Sequence, residues 1–139
     1  MTSINPYLNF NGNCREAMTF YHECMGGELA MQTVEGSLVE AQCPAAMKHQ
    51  ILHASLMKDC LLLMGSDMIG PAGFIKGNTI SLSLNCSSRK EINIFFTRLS
   101  DGGQITHPLK TEIGGAIFGV FTDRYGIKWM LNYDKNQKQ

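Results

Sequence analysis

Polar and apolar residues alternate along Tyr7-Leu8-Asn9-Phe10-Asn11 and again along Thr79-Ile80-Ser81-Leu82-Ser83-Leu84. Each stretch predicts a strand buried on one face, and each leads into a helix start. Asn13 followed by Glu16, and Ser88 followed by Glu91, have the spacing at which a side-chain oxygen and a carboxylate satisfy the free amides of a first helical turn. Behind these caps, Ala17, Tyr21, Cys24 and Met25 form one apolar stripe, and Ile92, Phe95, Phe96 and Leu99 form another, both at helical spacing. Both predicted helices stop at a glycine pair, Gly26-Gly27 and Gly102-Gly103, where a left-handed turn costs little. The two pairs lie 76 residues apart, and the aromatic pairs Phe20-Tyr21 and Phe95-Phe96 lie 75 apart. This is the signature of a duplicated unit.

Three further strand-like runs follow each glycine pair. In the first half these are Glu28 to Val34, Gln50 to Met57 and Cys60 to Ser66, the last two joined by a tight turn at Lys58-Asp59. In the second half they are Gln104 to His107, Ala116 to Thr122 and Ile127 to Tyr133, with a turn at Asp123-Arg124-Tyr125-Gly126. The expected fold is α+β: two β-α-β-β-β modules in a single domain over 1–139, module one at about 5–67, a linker at 68–78 and module two at about 79–133. One helix covers one face of a four-stranded sheet, so each module leaves a face bare, and two such faces, or one and a partner chain, would enclose a cavity. Leu8, Phe10, Ile80, Leu82 and Leu84 are needed under the helices, which turns Tyr7, Asn9, Asn11, Thr79, Ser81 and Ser83 toward that cavity.

Composition narrows the partners. Twelve basic and twelve acidic residues among 139 give zero formal charge, and no Lys/Arg cluster provides the footprint that a phosphate backbone requires. Nucleic acid is not expected to bind. Neither a basic leader before an apolar run nor an apolar stretch of membrane-spanning length is visible, so the chain is expected to be cytoplasmic and without a membrane partner. Cys14, Cys24, Cys43, Cys60 and Cys86 are odd in number and irregularly spaced, as reduced thiols are. Nine methionines suit either a cavity wall or core filling.

Paired modules of this kind resemble the vicinal oxygen chelate superfamily, which includes glyoxalase I, extradiol dioxygenases and the bleomycin and fosfomycin resistance proteins. More narrowly, the run Pro6 to Ala17, His53-Ala54-Ser55-Leu56, Gly65-Ser66-Asp67, Phe118-Gly119 through Thr122-Asp123, and Gly126 to Asn132 resemble its PhnB-like branch over nearly the whole chain. The resemblance implies glyoxalase-like half-barrel sheets around a cavity. It departs at Glu112-Ile113-Gly114-Gly115, where members commonly carry a Phe-Trp pair. Metalloenzymes of the superfamily hold one divalent ion with His, Gln or Glu side chains from the first and last strands of each module. The corresponding stretches here, around Asn5 to Tyr7, Met64, Thr79 and Met130, supply no histidine or carboxylate. No metal and no cofactor are therefore expected. A methyltransferase label sometimes attached to the branch is disfavoured for a related reason: no glycine-rich phosphate loop is present, the pairs Gly26-Gly27, Gly102-Gly103 and Gly114-Gly115 falling after helices or ahead of a strand.

Two readings stand for His53, which the resemblance places toward the cavity: a neutral imidazole acting as base or ligand partner, or a histidine satisfied by its own backbone surroundings. Asp67 could orient His53 or could be a turn residue. Cys43, His49, His53 and Cys60 have metal-binding types but no metal-binding spacing. Trp129 offers a stacking surface for a planar ligand or belongs to the core, while Asn132 and Thr79 are candidate polar anchors. The expected protein binds a small molecule in a mostly apolar cavity, as a homodimer, with Tyr7, Asn9, Thr79, Ser81, Trp129 and Asn132 as ligand contacts. The alternatives are a glyoxalase-like lyase or isomerase with His53 as base and Asp67 behind it, with or without a metal held at unexpected positions, and an interaction module whose open sheet pairs with a copy of itself.

Overall fold

The computed structural model describes residues 1–136, which separate into two compact units, Met1–Ile75 and the described residues from Lys76 onward. In the first, β1 (Tyr7–Asn9) precedes α1 (Cys14–Met25), then β2 (Glu28–Thr33), two short 3₁₀ turns (Glu40–Gln42 and Ala45–Met47), β3 (Ile51–Lys58) and β4 (Leu61–Ser66). The second contains β5 (Leu82–Asn85), α2 (Arg89–Ser100), β6 (Gln104–Thr111), β7 (Ile117–Thr122) and β8 (Lys128–Tyr133). The sheet orders are β1-β4-β3-β2 and β5-β8-β7-β6, with the first pair parallel and the others antiparallel in each case. The same topology twice is the mixed α+β architecture that the duplicated pattern predicts.

Register decides which side chains meet the helix. In module one Leu8 pairs with Gly65, Gly65 with Ala54 and Ala54 with Met31, so these four share a face, and α1 packs on it. A Cβ on Gly65 would sit 3.1 Å from Phe10, 3.3 Å from Cys14 Sγ and 3.3 Å from Met18 Sδ, which fixes how closely helix and sheet approach. Cys14, Ala17, Met18, Tyr21, Cys24 and Met25 form the buried stripe of α1. In module two the rows Leu82-Trp129-Phe121 and Leu84-Leu131-Gly119 lie under α2, where Phe96 meets Phe121 edge-on at 5.0 Å. A Cβ on Gly119 would reach 2.5 Å from the Phe96 ring.

The glycine pairs do more than end helices. Gly26 and Gly102 adopt φ of 79° and 80°, and each leaves room for a cation from the opposing hairpin. Lys58 Nζ donates to Met25 O (2.8 Å), and Arg124 donates to Asp101 through Nε to its carbonyl and Nη2 to its carboxylate, both at 3.0 Å. Both modules thus place a cation on the carbonyl end of their helix, where the backbone dipole favours it.

Several local expectations change. Module two's first strand begins at Leu82 instead of Thr79, and Ile80, expected beneath α2, is 76% exposed. The tight turn of module one is Asp59-Cys60, because Lys58 still pairs with Leu61, and Asp59 takes the positive φ of 51°. β6 continues through Pro108 to Thr111, which an edge strand tolerates because its ladder is satisfied on one side only. Ser88 caps α2 as expected, its Oγ accepting from Glu91 N–H at 3.0 Å. Asn13 makes no side-chain cap on α1.

At α1 the acceptor comes from a distant part of the chain. Asp67, 2% exposed, takes the Gly12 and Cys14 amides on Oδ1 (3.0 Å each) and the Ile51 amide on Oδ2 (2.9 Å), while its own amide donates to Ile51 O. A buried carboxylate holding three amides is a strong cross-link, since hydrogen bonds to charged groups contribute more than neutral ones. Replacing Asp67 by Ala strands those amides and should destabilise the protein by about 3 kcal/mol or more. Urea unfolding measures this, and a midpoint unchanged from that of the native protein would refute the cross-link.

Candidate functional site

The face of each sheet opposite its helix is where chemistry can meet solvent. In module one, the rows on that face are Tyr7-Met64-Ser55-Ala30 and Leu62-Met57-Glu28, with His53 beside Gln32 on the same side. Tyr7 OH lies 3.0 Å from His53 Nδ1, the rings 5.6 Å apart and tilted by 41°. Tyr7 is 45% exposed and Met57 53%, so the patch is reachable. His53 Nε2 has no hydrogen-bond partner among the described residues. A phenol-bonded imidazole on a face that also carries Met64, Met57 and Leu62 combines apolar area with a polar edge that can orient a ligand.

Of the residues nominated from the sequence, Tyr7 and His53 come together, and Asn9 lies exposed on the same face beside Ser66. Asp67 does not join them. Both of its oxygens are engaged by backbone amides, so Tyr7, and not Asp67, is the side chain bonded to His53. Thr79 and Ser81 precede β5 and lie exposed outside the strand. Trp129 is turned away from the open face: it is 3% exposed, stacks on Phe121 at 6.4 Å, and donates Nε1–H to Asp123 Oδ2 (2.9 Å). Asp123 also accepts from the Tyr125 and Ile127 amides, so the indole is part of the hairpin's support. Asn132 does lie on the open face of module two, in the row with Phe118 and Asn85.

Module two holds a further pair that the sequence reading passed over. His107 sits 5.5 Å from Phe118, edge to face, with Val120 and Met130 in its row. Its Nδ1 lies 3.0 Å from the carbonyl of Pro108. The signal was present in Thr106-His107-Pro108, but a strand ended at His107 gave no reason to follow the alternation.

The metal positions implied by the superfamily do not fit a hard divalent ion. In module one Tyr7 opposes Met64, a phenol and a thioether, and in module two Thr79 lies outside β5 while Met130 is a thioether, so neither module supplies a carboxylate or imidazole there. Among the described residues no three His, Cys, Asp or Glu side chains gather as a ligand set. His49 instead faces Glu35, Nδ1 to Oε2 at 3.8 Å on an exposed surface. The strand-to-helix turn of module one does contain a glycine, Gly12, yet the Asp67 carboxylate already fills the place an anion would take there.

Burial pushes the thiols of Cys14 and Cys86 up to about 12, with the Asp67 and Glu91 charges respectively adding to the shift. The neutral thiol is the folded form, so this contribution to stability is present below the ordinary value of 9.0 and is lost as pH rises toward 12. Thiol titration of native protein at about pH 8 should modify the exposed Cys60 first and leave Cys14 and Cys86 unreacted until denaturant is added. The single tryptophan gives a second readout: shielded emission that external quenchers barely reduce, as its burial requires. Quenching as strong as that of free indole would contradict the placement of Trp129.

Residues 2–132 match the family described as 3-demethylubiquinone-9 3-methyltransferase. Protein YjdN from Escherichia coli K12 is 29% identical, the match covering 96% of this chain and 97% of that protein. The crystal structure of protein PA1353 from Pseudomonas aeruginosa superposes with a TM-score of 0.82 at 41% identity, covering 96% of this chain and 98% of the other. A PhnB protein from Bacillus cereus superposes at 0.69 with 24% identity, covering 96% and 100%. A glyoxalase/bleomycin resistance protein from Albidiferax ferrireducens gives 0.63 with 12% identity, covering 94% and 96%, and shares the fold.

Proposed function

The chain belongs to the family described as 3-demethylubiquinone-9 3-methyltransferase, and from its likeness to the PhnB-like branch of the vicinal oxygen chelate superfamily we propose that it binds a small organic molecule in a mostly apolar cavity, without the superfamily's metal. The observation that carries this reading is the Tyr7–His53 pair, 3.0 Å apart on an open sheet face where Met64, Met57 and Leu62 alternate with Ser55, Gln32 and Glu28. Such a surface offers apolar area to a ligand body and one polar edge to orient it. The donors at the metal positions favour binding over Lewis-acid chemistry, since thioethers and neutral hydroxyls are poor ligands for hard ions. Asp67 in the Gly12 turn likewise argues against a phosphate-bearing cofactor there. The reading includes a homodimer as the working form and the cytoplasm as its place.

A second reading, a glyoxalase-like lyase or isomerase, draws on the same pair. If His53 Nδ1–H donates to the phenol oxygen, Nε2 keeps a lone pair and can act as a base.

A thermal-shift screen of small organic compounds, with and without divalent ions, tests both. Binding at 100 times the dissociation constant stabilises by about 2.7 kcal/mol. Under the binding reading, organic compounds shift the transition independently of metal, and His53→Ala weakens that shift about tenfold in affinity. Under the enzyme reading the same variant abolishes turnover. No shift with any compound would overturn the first reading. Sedimentation at micromolar concentration checks the dimer, and a monomer there removes it.

A further inference from the structure

Each module's open face carries one histidine beside one aromatic ring, and the partner of Nδ1 differs in kind between them. His107 Nδ1 lies 3.0 Å from Pro108 O. A carbonyl oxygen can only accept, so this nitrogen carries the proton and the neutral ring leaves Nε2 bare. His53 Nδ1 lies 3.0 Å from a phenol, which can donate or accept. A phenol oxygen shares its lone pairs with the ring and is a weak acceptor, whereas its O–H is a strong donor to an imidazole nitrogen. Neither the hydroxyl of Tyr7 nor Nε2 of either histidine has another hydrogen-bond partner among the described residues, so nothing competes for that proton. Tyr7 therefore donates to Nδ1, and the His53 proton sits on Nε2.

We propose that the two histidines are held in opposite neutral tautomers, and that the faces consequently differ in polarity. His53 presents Nε2–H to a carbonyl or carboxylate oxygen, while His107 presents bare Nε2 to a hydroxyl or amine hydrogen. The proposal rests on the small-molecule reading above and adds the ligand chemistry to it. It also bears on the enzyme alternative, because a ring whose exposed edge is Nε2–H donates a hydrogen bond to a substrate oxygen and lacks the lone pair of a base. The neighbours agree with these roles. Met64 shares a row with Tyr7 beside the donor in module one, and Phe118 and Val120 lie beside the acceptor in module two.

The test uses the full chain labelled with ¹⁵N-histidine at about pH 8, above the ordinary imidazole range. The nitrogen shifts and two-bond couplings distinguish the tautomers, and His53→Gln and His107→Gln assign the two rings. The expected result is a protonated Nε2 for His53 and a protonated Nδ1 for His107. Tyr7→Phe, which keeps the ring and removes the donor, should shift the His53 Nδ1 resonance toward that of an unbonded nitrogen and leave His107 unmoved. Either histidine in the opposite tautomer overturns the proposal, even if compounds bind. Benzoate and benzyl alcohol then probe recognition: benzoate should perturb His53 and the alcohol His107. The reverse preference, or perturbation of neither ring, overturns the assignment of ligand class. Correct tautomers with no binder in the thermal-shift screen overturn the small-molecule reading instead.

Discussion

The carboxylate of Asp67 is the constraint on which module one depends. β1 is only three residues long, too short to hold its place by ladder hydrogen bonds, and its tie to the sheet is a parallel pairing with β4. Asp67 follows β4 and grips the turn after β1, the first amide of α1 and the first amide of β3. Three elements that are far apart in sequence are thereby indexed to one buried charge. Tyr7 sits in the strand so positioned and His53 two residues beyond Ile51, so the distance between phenol and imidazole is set from beneath by a residue that touches neither. An acid that looked catalytic in the sequence is instead what holds the two candidate residues in register.

The legibility of this chain follows from where its constraints are steric. The paired modules could be read because the second glycine of each pair cannot be replaced without collision: a Cβ on Gly27 would lie 2.7 Å from Met57 O, and one on Gly103 would strike Thr122 O. Close backbone approach leaves a mark in sequence. The helical stripes were equally visible, since every predicted α1 member is buried. The site was less legible, because a hydrogen bond over 46 residues, such as Tyr7 to His53, has no local signature. Tyr7 and His53 could be nominated separately, but Asp67 stayed open between a partner of His53 and a turn residue because nothing in the sequence reveals the three amides that claim it. Trp129 stayed open between ligand surface and core for a related reason. Its strand alternates correctly, but only register shows that Trp129 shares a row with Leu82 and Phe121 beneath the helix.

The two modules have kept a topology while exchanging chemistry. The helix end is met by a lysine in one and an arginine in the other, and the helix start is capped from across the sheet in one and by its own serine in the other. The open faces have diverged in the same way, one pairing histidine with a phenol and the other with a phenyl ring. Shared architecture with unlike side chains leaves each module a surface with its own chemistry, and membership in a family cannot by itself specify either.

β6 carries a further consequence. Eight residues of edge strand would ordinarily be a template for fibril growth, since a bare row of amides and carbonyls can recruit any passing extended chain. Pro108 has no hydrogen to lend such a row, and the pairing of β6 slips on both sides of it, between Ile105 and His107 and between His107 and Lys110. An incoming strand loses alignment within a few residues. The shorter edge β2, Glu28–Thr33, has no proline and slips only once, between Gln32 and Thr33, so of these two edges it is the less guarded.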